Sequence, residues 1–189
     1  MEQTKKILIC GGGIAGPACA WWLTRYGYSV VLVEKAGALR DGGQNVDAGF
    51  EPAAWRKLNG ELGLTAVRIP ESYGGQGFGF GELGIVLEEM GRSLLCAPFF
   101  STAVLATGAI LNAGSEAEKQ ALLPGIAAGD TIATLAWVED PAHWDAAATK
   151  MTATQSGGAW KLDGHKSYVL DGHTADLIVV LARAPGSSG

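Results

Sequence analysis

KILICGGGIAGPACAWWLTRYGYSVVLVEK, Lys6 to Lys35, decides how the chain begins. Lys6–Cys10 is a short apolar run and reads as a buried strand. Gly11–Gly13 break it. Ile14 to about Tyr26 carries helical spacing, and Gly27 stands where such a helix ends. Ser29–Val33 (SVVLV) is β-branched and apolar, a second buried strand. The order is βαβ, with the helix as crossover. Gly11 to Gly16 fits G-x-G-x-x-G in its proper place, between a strand and a helix. Gly11 permits the tight turn, Gly13 lets backbone approach a pyrophosphate, and Gly16 allows close helix–strand packing. The helix N-terminus offers free N–H groups and partial positive charge to phosphates. Glu34, 21 residues after Gly13, ends the second strand where an acceptor can bind ribose hydroxyls. The plainer alternative is that these glycines only make a tight turn.

Downstream the texture changes. Ala36–Asp47 is polar and glycine-bearing, hence loop. Glu51–Gly60 and Phe80–Leu95 carry helical spacing, with an extended piece between them that ends in PESYGGQG (Pro70–Gly77). Phe99–Asn112 reads as an apolar helix. Ser115 and Glu118 form a capping box for a helix running to about Leu123, before Pro124. After Asp130 strands follow: Thr131–Val138, Lys150–Thr154, Trp160–Leu162, Ser167–Leu170 and Leu177–Leu181, with Gly157-Gly158 and Asp163-Gly164 as turns. The fold class expected is an α+β composite: a Rossmann-like βαβ stub, a helical region, then an antiparallel β region. The corresponding domains are residues 1–47, 48–130 and 131–189.

Composition narrows the function. Of 189 residues, 48% are hydrophobic and 17% charged, so the chain can bury a core. The net charge is −5, split as +1 over residues 1–47 and −6 over the rest, and no run of five basic residues occurs. That removes the electrostatic footprint of nucleic-acid or anionic-membrane binding. Cys10, Cys19 and Cys96 are odd in number and lack CxxC spacing, which argues against a disulfide framework or zinc site and fits a reducing cytoplasm. No segment reaches the roughly 18 apolar residues of a membrane span, and the N-terminus does not read as a secretory signal.

Two resemblances sharpen this reading. Gly11–Asp47 resembles the N-terminus of FAD-dependent aromatic-ring monooxygenases. The resemblance implies that the glycine turn (Gly11, Gly13, Gly16) holds the FAD pyrophosphate, Glu34 the adenosine ribose, and that Arg40 approaches the cofactor. It stops near Asp47. From Gly49 onward the chain is similar to acyl-CoA dehydrogenases, through Glu51–Leu95 with its PxxYGG turn and LEEMGRS helix end, Phe99–Asp130, and Trp160–Arg183. This resemblance implies a helical domain passing into a β-domain against which a flavin ring lies. Val138 and Glu139, in AWVEDP, match the flavin-contacting pair, and Tyr168, in KSYVLDG, matches the aromatic that packs on the flavin. Two departures stand out. A hydroxyl residue is usual at Glu139, and a threonine at Leu170, whose side chain cannot hydrogen-bond a flavin edge.

Other candidates have plainer readings. Glu88-Glu89 point about 100° apart on a helix and form a solvated face. His143, His165 and His173 lack metal-ligand spacing, and no metal is expected. Ser72, Ser101 and Ser156 lack an elbow context. Tyr168 can equally cover a β face, and Trp137 can be core.

The expectation is therefore a flavin-dependent oxidoreductase-like chain with FAD as cofactor and an acyl-CoA as ligand, in which two half-sites are joined near residues 47–50. The family resemblance places the catalytic glutamate in a C-terminal helical bundle that these 189 residues do not include, so no catalytic residue is assigned. Two other readings stay open: a dinucleotide-binding module in which only Gly11–Glu34 binds, and an inactive fusion fragment. The expected outcome is that acyl-CoA oxidation by the 189-residue chain, assayed with an artificial electron acceptor and added FAD, stays at the no-enzyme rate.

Overall fold

The structure, a computed structural model, describes residues 6–10 and 29–33 through their backbone, and residues 50–140 and 144–186 in full. Contacts divide the chain into two units, Met1–Asp47 and Ala48–Gly189. In the first, β1 (Lys6–Cys10) and β2 (Ser29–Val33) pair in parallel, from Lys6 with Ser29 to Cys10 with Val33. Parallel pairing needs a crossover. The helix expected to supply it, Ile14 to Tyr26, lies outside the described residues.

The second unit opens with α1 (Pro52–Gly60). Proline at the first helical position loses no hydrogen bond, and the Glu51 carboxylate accepts from the Ala53 N–H at 3.2 Å. Buried Trp55 donates its indole N–H to the Gly129 carbonyl at 2.9 Å. In the PESYGG turn a Cβ on Gly75 would lie 1.8 Å from the Ile69 carbonyl oxygen, so two backbone segments meet there and only glycine fits. α2 (Phe80–Ser93) begins where the Glu82 carboxylate reaches back to the Gly79 N–H. Glu88 and Glu89 lie exposed on it, both within salt-bridge distance of Arg92.

The next helix departs from expectation. Phe100–Ala106 is a widened π-helical stretch that continues as α3 (Thr107–Ala113). The reason is local: the Thr102 carbonyl accepts the backbone N–H and the hydroxyl of Thr107, five residues on. α4 (Glu116–Ala127) starts with the expected capping box, Ser115 with Glu118. It does not stop before Pro124, which lies inside it. An interior proline costs about 3 kcal/mol. Leu123 and Ile126, both fully buried on either side of it, each return roughly 1.5–3 kcal/mol by burial and hold the helix through the break.

The strands follow: β3 (Ala133–Ala136), β4 (Thr152–Ser156), β5 (Ala159–Asp163) and β6 (Leu177–Val180). The expected antiparallel pairing holds for the β4–β5 hairpin, whose turn glycines 157 and 158 both have positive φ. It fails for β3 and β6, which pair in parallel from Ala133 with Leu177 to Ala136 with Val180. The long connection between them permits the crossover that parallel strands require. The strand expected at Ser167–Leu170 does not form, because Tyr168 adopts φ +56 and breaks the extended path.

Two apolar clusters make the core. Ile69, Ala106, Ile110, Leu123, Ile126 and Ala133 belong to one, and Trp55, Val67, Leu83, Phe99, Ala103 and Ile132 to the other. Helices and strands are tied by one side chain. The fully buried Thr102 hydroxyl donates to the Ala133 carbonyl at 3.0 Å and accepts from the Ala133 N–H at 3.1 Å. Thr102→Val strands two buried backbone groups, so urea titration is expected to show a loss of about 2–4 kcal/mol. Thr102→Ser keeps the hydroxyl and is expected to lose about 1 kcal/mol, the burial of one methyl group.

Candidate functional site

The site is built where β3 ends. Val138, buried, accepts the Ser167 N–H on its carbonyl at 2.8 Å, which lays residues 166–168 beside residues 137–139. The Ser167 hydroxyl donates to the Asp140 carboxylate at 3.1 Å. Glu139 and Lys166 form an ion pair at 2.8 Å, with side chains only 13% and 5% exposed. The carboxylate also accepts the backbone N–H groups of Lys150 at 2.8 Å and Met151 at 2.9 Å, and the Lys166 ammonium donates to the Trp137 carbonyl at 3.1 Å. One side-chain pair thus joins three chain segments. The Lys166 hydrogen bond, then the two backbone N–H groups, hold the Glu139 carboxyl down at about 2 against an ordinary 4.5, despite the opposing effect of burial.

Beyond this knot the surface is apolar. Tyr168 is 78% exposed and Leu170 51%. A cavity of about 530 Å³ opens between Ala136, Met151, Leu162, Lys166, Val169, Ile178 and Val180. A second, more polar cavity of about 480 Å³ is lined by Trp137, Glu139, Asp145, Thr149, Lys150 and Arg183. The ion pair contributes one partner to each.

Of the residues singled out from sequence, Val138, Glu139 and Tyr168 are brought into one neighbourhood, since Val138 bonds Ser167 and Glu139 bonds Lys166. Their roles differ. Glu139 is saturated by internal donors, whereas Tyr168 faces outward. Gly11, Gly13, Gly16, Glu34 and Arg40 lie outside the described residues, as does His143. The described strands do fix one point: Cys10 pairs with Val33, so the backbone that leads into Gly11 and the backbone that leads into Glu34 leave the same end of the two-stranded sheet. In α/β sheets ligands bind beyond that end of the strands. Trp137 is half-buried and donates its indole N–H to the Trp144 carbonyl at 3.1 Å, so it is not core. His165 and His173 are exposed. Among the described residues no cluster of three His, Cys, Asp or Glu side chains could hold a metal, and no helix is long and apolar enough to cross a membrane. Sequence reasoning missed Lys166 as the partner of Glu139, and Thr134, whose buried hydroxyl donates to the Leu170 carbonyl at 2.6 Å. A lysine in the matched KSYVLDG stretch, with an acid ending the neighbouring strand, was the available signal for the first.

A family model described as acyl-CoA dehydrogenase, N-terminal domain, matches residues 36–130, and an NAD(P)-binding Rossmann-like domain matches residues 9–48. Mitochondrial isovaleryl-CoA dehydrogenase of Pongo abelii is 32% identical over 142 residues, covering 71% of this chain and 33% of that one. The ChsE4–ChsE5 complex of Mycobacterium tuberculosis superposes with a TM-score of 0.65 at 30% identity, over 75% of this chain and 37% of that one. An acyl-CoA dehydrogenase complexed with FAD from Bacillus anthracis does so at 0.61 and 29%, over 70% and 24%. Helices pass into strands in a chain of mixed helix and strand, whose N-terminal segment matches a Rossmann-like model. The chain belongs to the acyl-CoA dehydrogenase family. The chain spans about a third of the length of the curated relatives it matches.

The ion pair has a measurable signature. Because the folded-state value of Glu139 lies below 4.5, its stabilisation is fully present above that pH and is lost as pH falls toward about 2. Glu139→Gln is expected to lower the thermal midpoint at pH 7. The gap from wild type is expected to narrow below pH 4.5 and close near pH 2, in a melting series across that range.

Proposed function

We propose that residues 48–130 and 131–189 form the helical and β parts of an FAD-dependent acyl-CoA dehydrogenase, with Val138, Glu139 and Tyr168 on the flavin side. Residues 1–47 form a Rossmann-like βαβ that resembles the aromatic-ring monooxygenase opening, with Gly11, Gly13, Gly16, Glu34 and Arg40 directed to the dinucleotide. The observation that carries the reading is the 78% exposed Tyr168, in a chain of this family, whose chain neighbours Lys166 and Val169 line a largely apolar cavity.

The site's chemistry fits a flavin. An exposed aromatic suits a flat, tricyclic ring. The carboxylate at position 139, where a hydroxyl residue is usual, would repel an electron-rich ring if it were free. Lys166 neutralises it and backbone N–H groups occupy its oxygens, so it acts as an internal tie. The Leu170 side chain offers no hydrogen bond, so this chain orients the ring through stacking and through backbone groups. Bound FAD would supply the hydride acceptor for α,β-oxidation of an acyl-CoA thioester. What these residues do is bind, orient and keep the ring's near face apolar; none of them is assigned as the base. The charge balance and cysteine usage support action in a reducing cytoplasm, away from nucleic acid and membrane.

Titration of FAD and of ADP into wild type, Tyr168→Leu and Gly13→Val separates the two half-sites. Tyr168→Leu is expected to weaken FAD binding about tenfold, roughly the 1.4 kcal/mol at the upper end of an aromatic stacking contact, and to leave ADP unchanged. Gly13→Val is expected to abolish ADP binding, since a branched side chain fills the pyrophosphate approach. Equal FAD affinity in wild type and Tyr168→Leu would refute the flavin-facing role. Equal ADP affinity in all three would make the glycine turn purely structural.

A further inference from the structure

Tyr168 has a left-handed backbone, φ +56, although it is a large aromatic residue and not a glycine. Such a conformation is costly, and it persists only where surrounding structure over-determines it. Here the surroundings do so on both sides. Two residues before it, the Lys166 ammonium is bound to Glu139 and to the Trp137 carbonyl. One residue before it, the Ser167 N–H is bound to Val138. Two residues after it, the Leu170 carbonyl accepts the buried Thr134 hydroxyl. Three residues after it, the Asp171 carboxylate meets the fully buried Ser101 hydroxyl at 2.6 Å. The anchors come from the β3 strand, its outgoing loop and the π-helical stretch. Thr134, Val138 and Ser101 are buried and the Lys166 side chain is 5% exposed, while the residue they bracket is 78% exposed. A chain pinned so firmly on both sides, with its middle residue strained and turned to solvent, is holding that side chain out.

We infer that the Glu139–Lys166 ion pair and the Ser101–Asp171 contact act as a two-sided clamp that positions the Tyr168 ring as a stacking platform for a planar aromatic ligand. This rests on the flavin reading above. Lys166, Glu139, Ser101 and Asp171 are positioning residues in it; only Tyr168 touches the ligand. The clamp also accounts for the carboxylate at position 139. Its charge secures Lys166, and with it the start of the strained segment.

The test uses the full chain with 13C-labelled tyrosine, the Tyr168 Cα resonance being assigned through Tyr168→Phe. The expected wild-type resonance has the shift of a left-handed residue, and in Lys166→Met it moves to that of an extended one, while the Tyr73 resonance stays in place. FAD is the probe for function, read through quenching of its fluorescence. Lys166→Met is expected to bind about tenfold more weakly, because the competent conformer is then only fractionally populated. Lys166→Met/Tyr168→Leu is expected to bind no more weakly than Tyr168→Leu alone. An unmoved Tyr168 resonance in Lys166→Met, or losses that add in the double variant, would overturn the clamp. Should Lys166→Met lose the Tyr73 signal as well, Ser101→Ala decides, since it deletes the anchor beyond Tyr168 and leaves the ion pair. The same displacement of the Tyr168 resonance is expected there, and its absence overturns the proposal. If wild type quenches no FAD fluorescence, the flavin reading fails, and the clamp is judged on the resonance alone.

Discussion

Ala133 is the first residue of β3, and its two backbone groups are both engaged by a single hydroxyl, that of Thr102. An edge strand normally meets another strand or water. Here a helix side chain substitutes for the neighbour, in the dry interior where an unpaired amide is costly. The β3–β6 ladder takes its position from this contact. β6 is registered on β3, and residues 166–170 lie beside the chain that leaves it. The widened turn at Phe100–Ala106 belongs to the same device. Its geometry lets the Thr102 carbonyl serve Thr107 while the Thr102 hydroxyl serves the strand.

The ion pair of Glu139 and Lys166 has a different logic. Two charges with side chains 13% and 5% exposed lose much hydration, and such pairs repay it only when further donors and acceptors are supplied. They are supplied here by the N–H groups of Lys150 and Met151 and by the Trp137 carbonyl. An apolar pair of equal volume could give similar stability. It could not tie three backbone segments at fixed directions. The pair is therefore best understood as fixing geometry, which is what the proposed flavin face, on an irregular segment, requires.

Much of this was legible in the sequence, and the failures are instructive. Helix starts carry local chemistry, so Ser115 with Glu118 marked one of them correctly. Pro124 misled because its local penalty is outweighed by burial of Leu123 and Ile126, which no local pattern displays. The parallel pairing of β3 with β6 was hidden for a similar reason, since short strands separated by turns look alike whichever way they pair. At the site, the KSYVLDG stretch pointed to Tyr168, but periodicity suggested a strand where a left-handed residue interrupts one. The saturation of Glu139 could not be read at all, because two of its donors are backbone amides 11 and 12 residues away.

The β3–β6 pairing carries a consequence for how the chain acquires its shape. Ile132 and the Asp176 carboxylate that receives its N–H are 44 residues apart. Closing a flexible loop of that size costs about 3 kcal/mol in chain entropy before any strand bond is gained. The contacts within α3 and α4 and the β4–β5 hairpin span a dozen residues or fewer and carry no such toll. Local elements therefore condense first, and the parallel ladder closes late, on a surface already formed by Thr102 and its neighbours. The segment bearing Tyr168 lies inside that closing loop, so the proposed flavin face is among the last parts of the molecule to exist.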